Sequence, residues 1–302
     1  MTTPLTERRW FDVVITWYFV VIWGSGYLAS KTGLQYAAPF TFLTLRFLFA
    51  IACMLPIVLV TRPAWPASRG ELYHVIAAGL LMHAANLAGS HYTQFLGVSS
   101  GITAALLSAQ PLLTALIASR WMHERVSPRQ WLGIATGFSG VLLIVWHKIE
   151  VHEMTAVSLL AIVVSLLSIT SGTLYQRVFC PRVDLRSSAL IQFLASALVV
   201  APLAWAIEDF RIVWAWPMLG AIAFLVIAGS ILAVNALHTL MRKGKATRVT
   251  SLIFLTPVIA VILEFAWFRV VPSTASVCGI AVTCVGVALV TWTQGTLRVK
   301  QT

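Results

Sequence analysis

The chain has 302 residues, of which 59% are hydrophobic and only 10% charged, and its mean hydropathy is +0.87. A soluble domain carries roughly 25% charged residues to keep its surface in water, so this composition excludes a water-soluble fold. The net charge of +11 invites a nucleic-acid partner, but the basic residues cluster in short loops between apolar runs, a membrane-topology signal rather than a phosphate-binding one.

A helix needs about 20 apolar residues to cross a ~30 Å hydrocarbon core, and such runs recur along the whole sequence. The first, 12–31, carries Trp23 and Tyr27 near its end; with Tyr175, Gln176, Asn235 and His238 they are candidates for lining a substrate cavity. The second, 38–60, holds Arg46 roughly 10 Å inside at 1.5 Å per residue. A cation at that depth costs on the order of 3 kcal/mol. It either locks helices, by pairing with carbonyls or Glu264, or binds a substrate carboxylate or phosphate. In the third span, 71–94, Gly79, His83, Asn86, Ser90 and Gln94 follow helical spacing and predict one polar face. That face, with His91 nearby, is a candidate cavity wall, or else a helix–helix hydrogen-bonding surface. The fourth span, 98–119, is separated from it only by Leu96-Gly97-Val98 and contains Pro111; the fifth, 129–147, contains Gly133, Gly137 and Gly140. The sixth, 154–177, ends with Tyr175 and Gln176, and the seventh is 185–207. The eighth, 215–240, bears Asn235 and His238; the ninth, 248–268, bears Pro257 and Glu264; the tenth, 274–294, bears Gly279, Thr283 and Gly286. The expected fold is therefore an all-α integral membrane protein with ten transmembrane helices. Eight or nine spans is the alternative.

With the amino terminus inside, sixteen lysines and arginines fall on the inner side and four (Lys31, Lys148, Arg211 and Arg269) on the outer. This bias predicts cytoplasmic amino and carboxyl termini. Arg8 and Arg9 before an apolar stretch imitate a signal peptide, but nine further spans make it an uncleaved first helix. Cys53, Cys180, Cys278 and Cys284 have neither metal-ligand spacing nor an extracellular pairing pattern and are read as free thiols.

The sequence repeats at an offset of 146 residues. Between Gly101–Trp146 and Thr247–Trp292, eleven of forty-six positions are identical without a gap, including Pro111/Pro257, Gly133/Gly279 and Gly140/Gly286. The same offset pairs Phe47 with Phe193. Two halves result, 1–150 and 151–302. Five spans in each is an odd number, so the halves enter the membrane in opposite orientations, an inverted repeat of the kind used in secondary transporters. Duplication as a mere scaffold is the alternative. Pro111 and Pro257, equivalent positions inside their spans, each remove a backbone hydrogen bond and are candidate hinges or fixed kinks. Glu264 is a candidate for reversible protonation and hence for proton coupling. The small-residue faces of spans five and ten predict close intramolecular packing, with a homodimer seam as the second reading.

The sequence resembles the drug/metabolite transporter superfamily, specifically its EamA-type members. The resemblance is carried by Trp23-Gly24-Ser25, Thr41 to Phe47, Ala104 to Leu107, Pro111 to Leu116, His123 to Ser127 and Gly133 to Gly140. It departs at Arg269-Val270-Val271, where the acidic residue usual in that loop is missing from the second repeat. The resemblance implies a central cavity between two five-helix repeats and transport of small metabolites or drugs, often as export. The expected function is thus a secondary transporter of small organic solutes, amino acids among them, in the bacterial inner membrane. A passive channel and a non-transporting scaffold are the alternatives. No zinc-ligand spacing, phosphate loop or nucleophile–base set supports an enzyme, and no motif calls for a cofactor or metal.

Overall fold

The computed structural model of the chain describes residues 5–121, 126–150, 154–233 and 256–297. Among them the chain is helical without a strand; one isolated bridge joins Ala37 to Ile212. Helix stands at all ten predicted spans. α1 (Leu5–Gly33) and α2 (Pro39–Thr61) fill the first two. The third is α3 (Arg69–Gly79), a π-helical stretch Leu80–Ala85, and α4 (Asn86–Phe95). The fourth is α5 (Ser100–Leu107) and α6 (Gln110–Trp121). α7 (Pro128–Glu150), α8 (Ala156–Phe179) and α9 (Leu185–Glu208) follow. α10 (Trp216–Ala223) runs into a second π-helical stretch, Phe224–Ala233. α11 (Thr256–Phe268) and α12 (Thr274–Leu297) complete the set. Among the described residues, five helical segments reach the length and hydropathy of a membrane crossing: Pro39–Thr61, Arg69–Phe95, Ser100–Ile117, Ala156–Phe179 and Leu185–Glu208.

Local chemistry sets the helix ends. Pro39 opens α2, where its missing N–H costs nothing, and Arg62 closes it in the left-handed region at φ 44°. Ser68 and Glu71 form a reciprocal cap on α3: Ser68 Oγ accepts from the Glu71 amide, and Glu71 Oε2 from the Ala67 amide. Thr155 and Ser158 do the same for α8. The short turn after α4 rests on Gly97, whose φ of +99° few other residues adopt and whose N–H donates to the Gln94 carbonyl. Pro111 does more than kink its span. α5 stops at Leu107, Ser108 and Ala109 form a turn, and Pro111 is the second residue of α6. Pro257 lies in the first described turn of α11.

The helices gather into two compact units, residues 1–28, 99–151 and 228–302 in one and 29–98 and 152–227 in the other. Each draws on both sequence repeats. In the first unit α7 packs on α12 and α5 on α11. A Cβ on Gly286 would collide with the Gly137 amide nitrogen, and one on Gly133 would stand 2.7 Å from the Gly286 carbonyl oxygen. A Cβ on Gly140 would meet Gly279 O at 2.7 Å. Gly133 thus meets the repeat equivalent of Gly140, and Gly140 meets the equivalent of Gly133. That reciprocal crossing requires the two helices to run in opposite directions, as an inverted repeat demands. It also closes both glycine faces within one chain, which removes them as a homodimer seam.

In the second unit α2 packs on α9, α4 on α8, and α3 on both α8 and α9. Phe47 and Phe193, equivalent in the repeat, stack on each other with centroids 6.2 Å apart. Polarity is arranged as lipid dictates: Thr41, Thr44, Ser165 and Ser196 are buried, whereas Val60, Leu160 and Leu198 are exposed. Cys53, Cys180, Cys278 and Cys284 are free thiols.

Candidate functional site

The polar stripe expected along the third span does not lie on one face. An i→i+5 turn inserts a residue into the helix, so the π-helical stretch Leu80–Ala85 turns everything beyond it by roughly 100° at 3.6 residues per turn. Gly79 and His83 meet α9. A Cβ on Gly79 would lie 2.7 Å from Gln192 Cα, and His83 Nε2 lies 3.1 Å from Gln192 Oε1. Asn86 faces α8 instead: its carbonyl and its Oδ1 accept from Ser165 Oγ at 2.8 and 2.9 Å, while its Nδ2 donates to the Met82 carbonyl. Gly89 presses on the Ala161 carbonyl, and Thr93 Oγ1 reaches the Ser158 carbonyl at 3.3 Å. Ser90 and Gln94 are buried. His91 is also buried, bonded through Nε2 to Ser30 Oγ at 2.9 Å and set edge-on to the Phe42 ring. Within the stripe, Asn86 thus bonds to α8 and His83 to α9.

Gln192 is the hub that the sequence reading missed. It is 4% exposed. Its Nε2 donates to Gln176 Oε1 at 3.3 Å and to Ser188 Oγ at 3.2 Å, while its Oε1 faces His83. Ser196, one turn further along α9, donates to the Gly79 carbonyl at 3.3 Å. Gln192 is the one side-chain amide in α9, midway between Ser188 and Ser196 at helical spacing, and that polar row was the available signal. Tyr175 stands apart from this hub: its hydroxyl lies 2.7 Å from His74 Nδ1, and both rings pack on Phe179. Beside Gln176 opens a recess of about 480 Å³, also lined by Met82, Thr173, Arg177, Cys180 and Pro181.

Arg46 lies in the same unit, half-buried on α2, within coulombic range of both His83 and His91. Among the described residues its guanidinium has no hydrogen-bond or ion-pair partner. Glu264 is otherwise engaged. It is 2% exposed, and its two oxygens accept from the Ser100 and Gly101 amides at 2.9 Å each, which makes it the cap on the first turn of α5. Ser100 Oγ in turn donates to the Tyr27 carbonyl at 3.2 Å. Tyr27 is half-buried and Trp23 exposed, both on the part of α1 that belongs to the first unit. Asn235 and His238 lie outside the described residues. A second carboxylate, also missed, repeats the capping: Glu208 accepts from the Phe40 and Thr41 amides and from Thr41 Oγ1 at 2.7–2.9 Å, holding the first turn of α2. It stands at a span boundary, where an acidic residue reads as a loop. Among the described residues no group of three or more histidines, cysteines or acids could hold a metal.

Comparison with known proteins agrees with this architecture. The EamA-like transporter family matches the chain twice, over residues 13–146 and 156–292. The uncharacterized inner membrane transporter YedA of Escherichia coli K12 is 29% identical over 248 residues, covering 80% of this chain and 78% of its own. The uncharacterized transporter YvbV of Bacillus subtilis is 24% identical over 81% of this chain and 80% of its own. A probable amino-acid metabolite efflux pump of E. coli K12 is 24% identical over 258 residues, 82% of this chain and 84% of its own. A solved crystal structure shares the fold over 97% of this chain and 100% of its own, with a TM-score of 0.63 at 19% identity. The chain belongs to the EamA-like transporter family, as a multi-pass membrane transporter built from two copies of the family repeat.

Proposed function

We propose that the chain exports small carboxylate-bearing metabolites of the amino-acid type across the bacterial inner membrane, by alternating access of its inverted repeats. The observation that carries this reading is Arg46, a half-buried guanidinium on a membrane helix without a partner among the described residues. Holding that charge in the membrane is costly, and a planar fork of donors matches a carboxylate through two parallel hydrogen bonds. Glu264, the acid the sequence offered as its partner, is bonded to amides of α5. The relative described as a probable amino-acid metabolite efflux pump supports the solute class and the direction, and the one described as an inner membrane transporter supports the membrane. The loop-charge bias supports an orientation with both termini in the cytoplasm.

The test is efflux from proteoliposomes loaded with labelled amino acids, deaminated acids or cationic drugs, with and without a pH gradient, beside protein-free vesicles. Saturable efflux of carboxylate-bearing compounds is expected; acceleration by the gradient would add proton coupling. Saturable efflux of cationic drugs alone would overturn the solute class. Flux that never saturates would make the protein a channel.

A further inference from the structure

We propose that Gln192 is a positioning residue that holds His83 as its Nε2–H tautomer, leaving Nδ1 as a lone-pair acceptor for the ammonium group of the transported solute. The substrate half rests on the reading that Arg46 takes the carboxylate; the positioning half does not.

The donor and acceptor inventory points to one tautomer. Gln192 Nε2 faces Gln176 Oε1, which only accepts, and Ser188 Oγ. The amide is thereby oriented with Oε1 toward His83, 3.1 Å from its Nε2. A carboxamide oxygen has no proton to give, so the ring nitrogen facing it is the donor. In a neutral imidazole the lone pair is then on Nδ1, which has no hydrogen-bond partner among the described residues.

Both groups are held mechanically as well. A Cβ on Gly79 would meet Gln192 Cα, Cβ and Cγ, all at 2.7 Å, so the α3 backbone leans on the glutamine stem and leaves it no room to swing. The His83 ring rests on Phe193 at 4.9 Å, and Phe193 stacks on Phe47, the neighbour of Arg46 in sequence. A guanidinium unpaired among the described residues and a fixed lone pair in one unit match the two ends of a zwitterion. A simple carboxylic acid satisfies only the first.

The experiment begins with the full chain in lipid nanodiscs, carrying isotopically labelled histidine. Nitrogen-detected NMR at neutral pH assigns His83 by subtraction of the His83→Gln spectrum. The expected result is a proton on Nε2 and none on Nδ1 in the unmodified protein, and a mixture of tautomers in Gln192→Met. Ser196→Ala, which removes a bond of the same seam without touching His83, should leave the spectrum unchanged. Counterflow of alanine against propionate, and of phenylalanine against phenylpropionate, then reads the substrate half. Gln192→Met should slow both amino acids about tenfold, the effect of one lost hydrogen-bonding arrangement, and leave the deaminated acids within about twofold. A proton on Nδ1 in the unmodified protein overturns the proposal even if no variant folds. An equal loss for amino acids and deaminated acids overturns the ammonium assignment. If the spectrum is as expected but neither compound class moves in the unmodified protein, the positioning role of Gln192 stands and the carboxylate reading of Arg46 fails.

Discussion

The two units bring repeat-equivalent helices together with opposite materials. Where α7 crosses α12 in the first, glycine meets glycine and the contact is backbone on backbone. Where α2 crosses α9 in the second, Phe47 meets Phe193, and the neighbouring α3–α9 seam is drawn together by Gln192. Glycine seams gain dispersion over many atoms at close range and have no side chain to rearrange. Side-chain seams hold polar atoms that can be redirected toward a solute. Under the function proposed above, the difference separates the part of the molecule that holds shape from the part that offers chemistry.

The comparison is broken most severely at the glycines. Gly286→Leu would force a side chain into the Gly137 backbone, and the folded, monodisperse species is expected to disappear on size-exclusion chromatography in detergent. A Leu variant that elutes as the unmodified protein would mean that the crossing is loose. The two carboxylate caps sharpen the same contrast. Glu264→Ala leaves two amides in a buried place without their charged acceptor, a loss of about 3 kcal/mol by the usual cost of such groups. Glu208→Ala, at a half-buried end, should cost less, about 2 kcal/mol, and thermal unfolding in detergent ranks them. Gly97→Ala comes next: nothing crowds its Cβ, yet the φ of +99° disfavours any side chain, so about 1 kcal/mol is expected.

The smallest effect is expected at Asp184, which caps α9. Its hydrogen-bonded Arg186 guanidinium holds the carboxyl below its ordinary value of 3.8. A depressed folded value means stability that is complete above the unfolded value and lost as the pH falls through the folded one. Acid scans of thermal unfolding should show this loss below about pH 4, shrinking in Asp184→Asn and in high salt.

Much of the scaffold was legible because membrane physics writes it in periods and composition. Apolar length gave ten spans, the 146-residue offset gave the inverted pairing, and small residues at helical spacing gave the α7–α12 seam. The offset even named Phe47 and Phe193 before their contact was known. The site was less legible for identifiable reasons. A π turn has no apolar signature, so the Gly79–Gln94 stripe looked continuous although His83 bonds to α9 and Asn86 to α8. Gln192 has partners 109 and 16 residues away in the chain, and no local pattern announces that. Glu264 was conspicuous as a buried acid, but its acceptors' partners, two amides of α5, carry no side-chain signal at all.

The central claim is that the second unit offers the chemistry, and Arg46→Gln tests it most directly. Counterflow of labelled amino acid per folded carrier should fall at least about tenfold, the loss of a charge-assisted pair, while the melting temperature stays within a few degrees. Counterflow equal to that of the unmodified protein, at the same amount of folded carrier, would contradict the account and return Arg46 to a purely structural part.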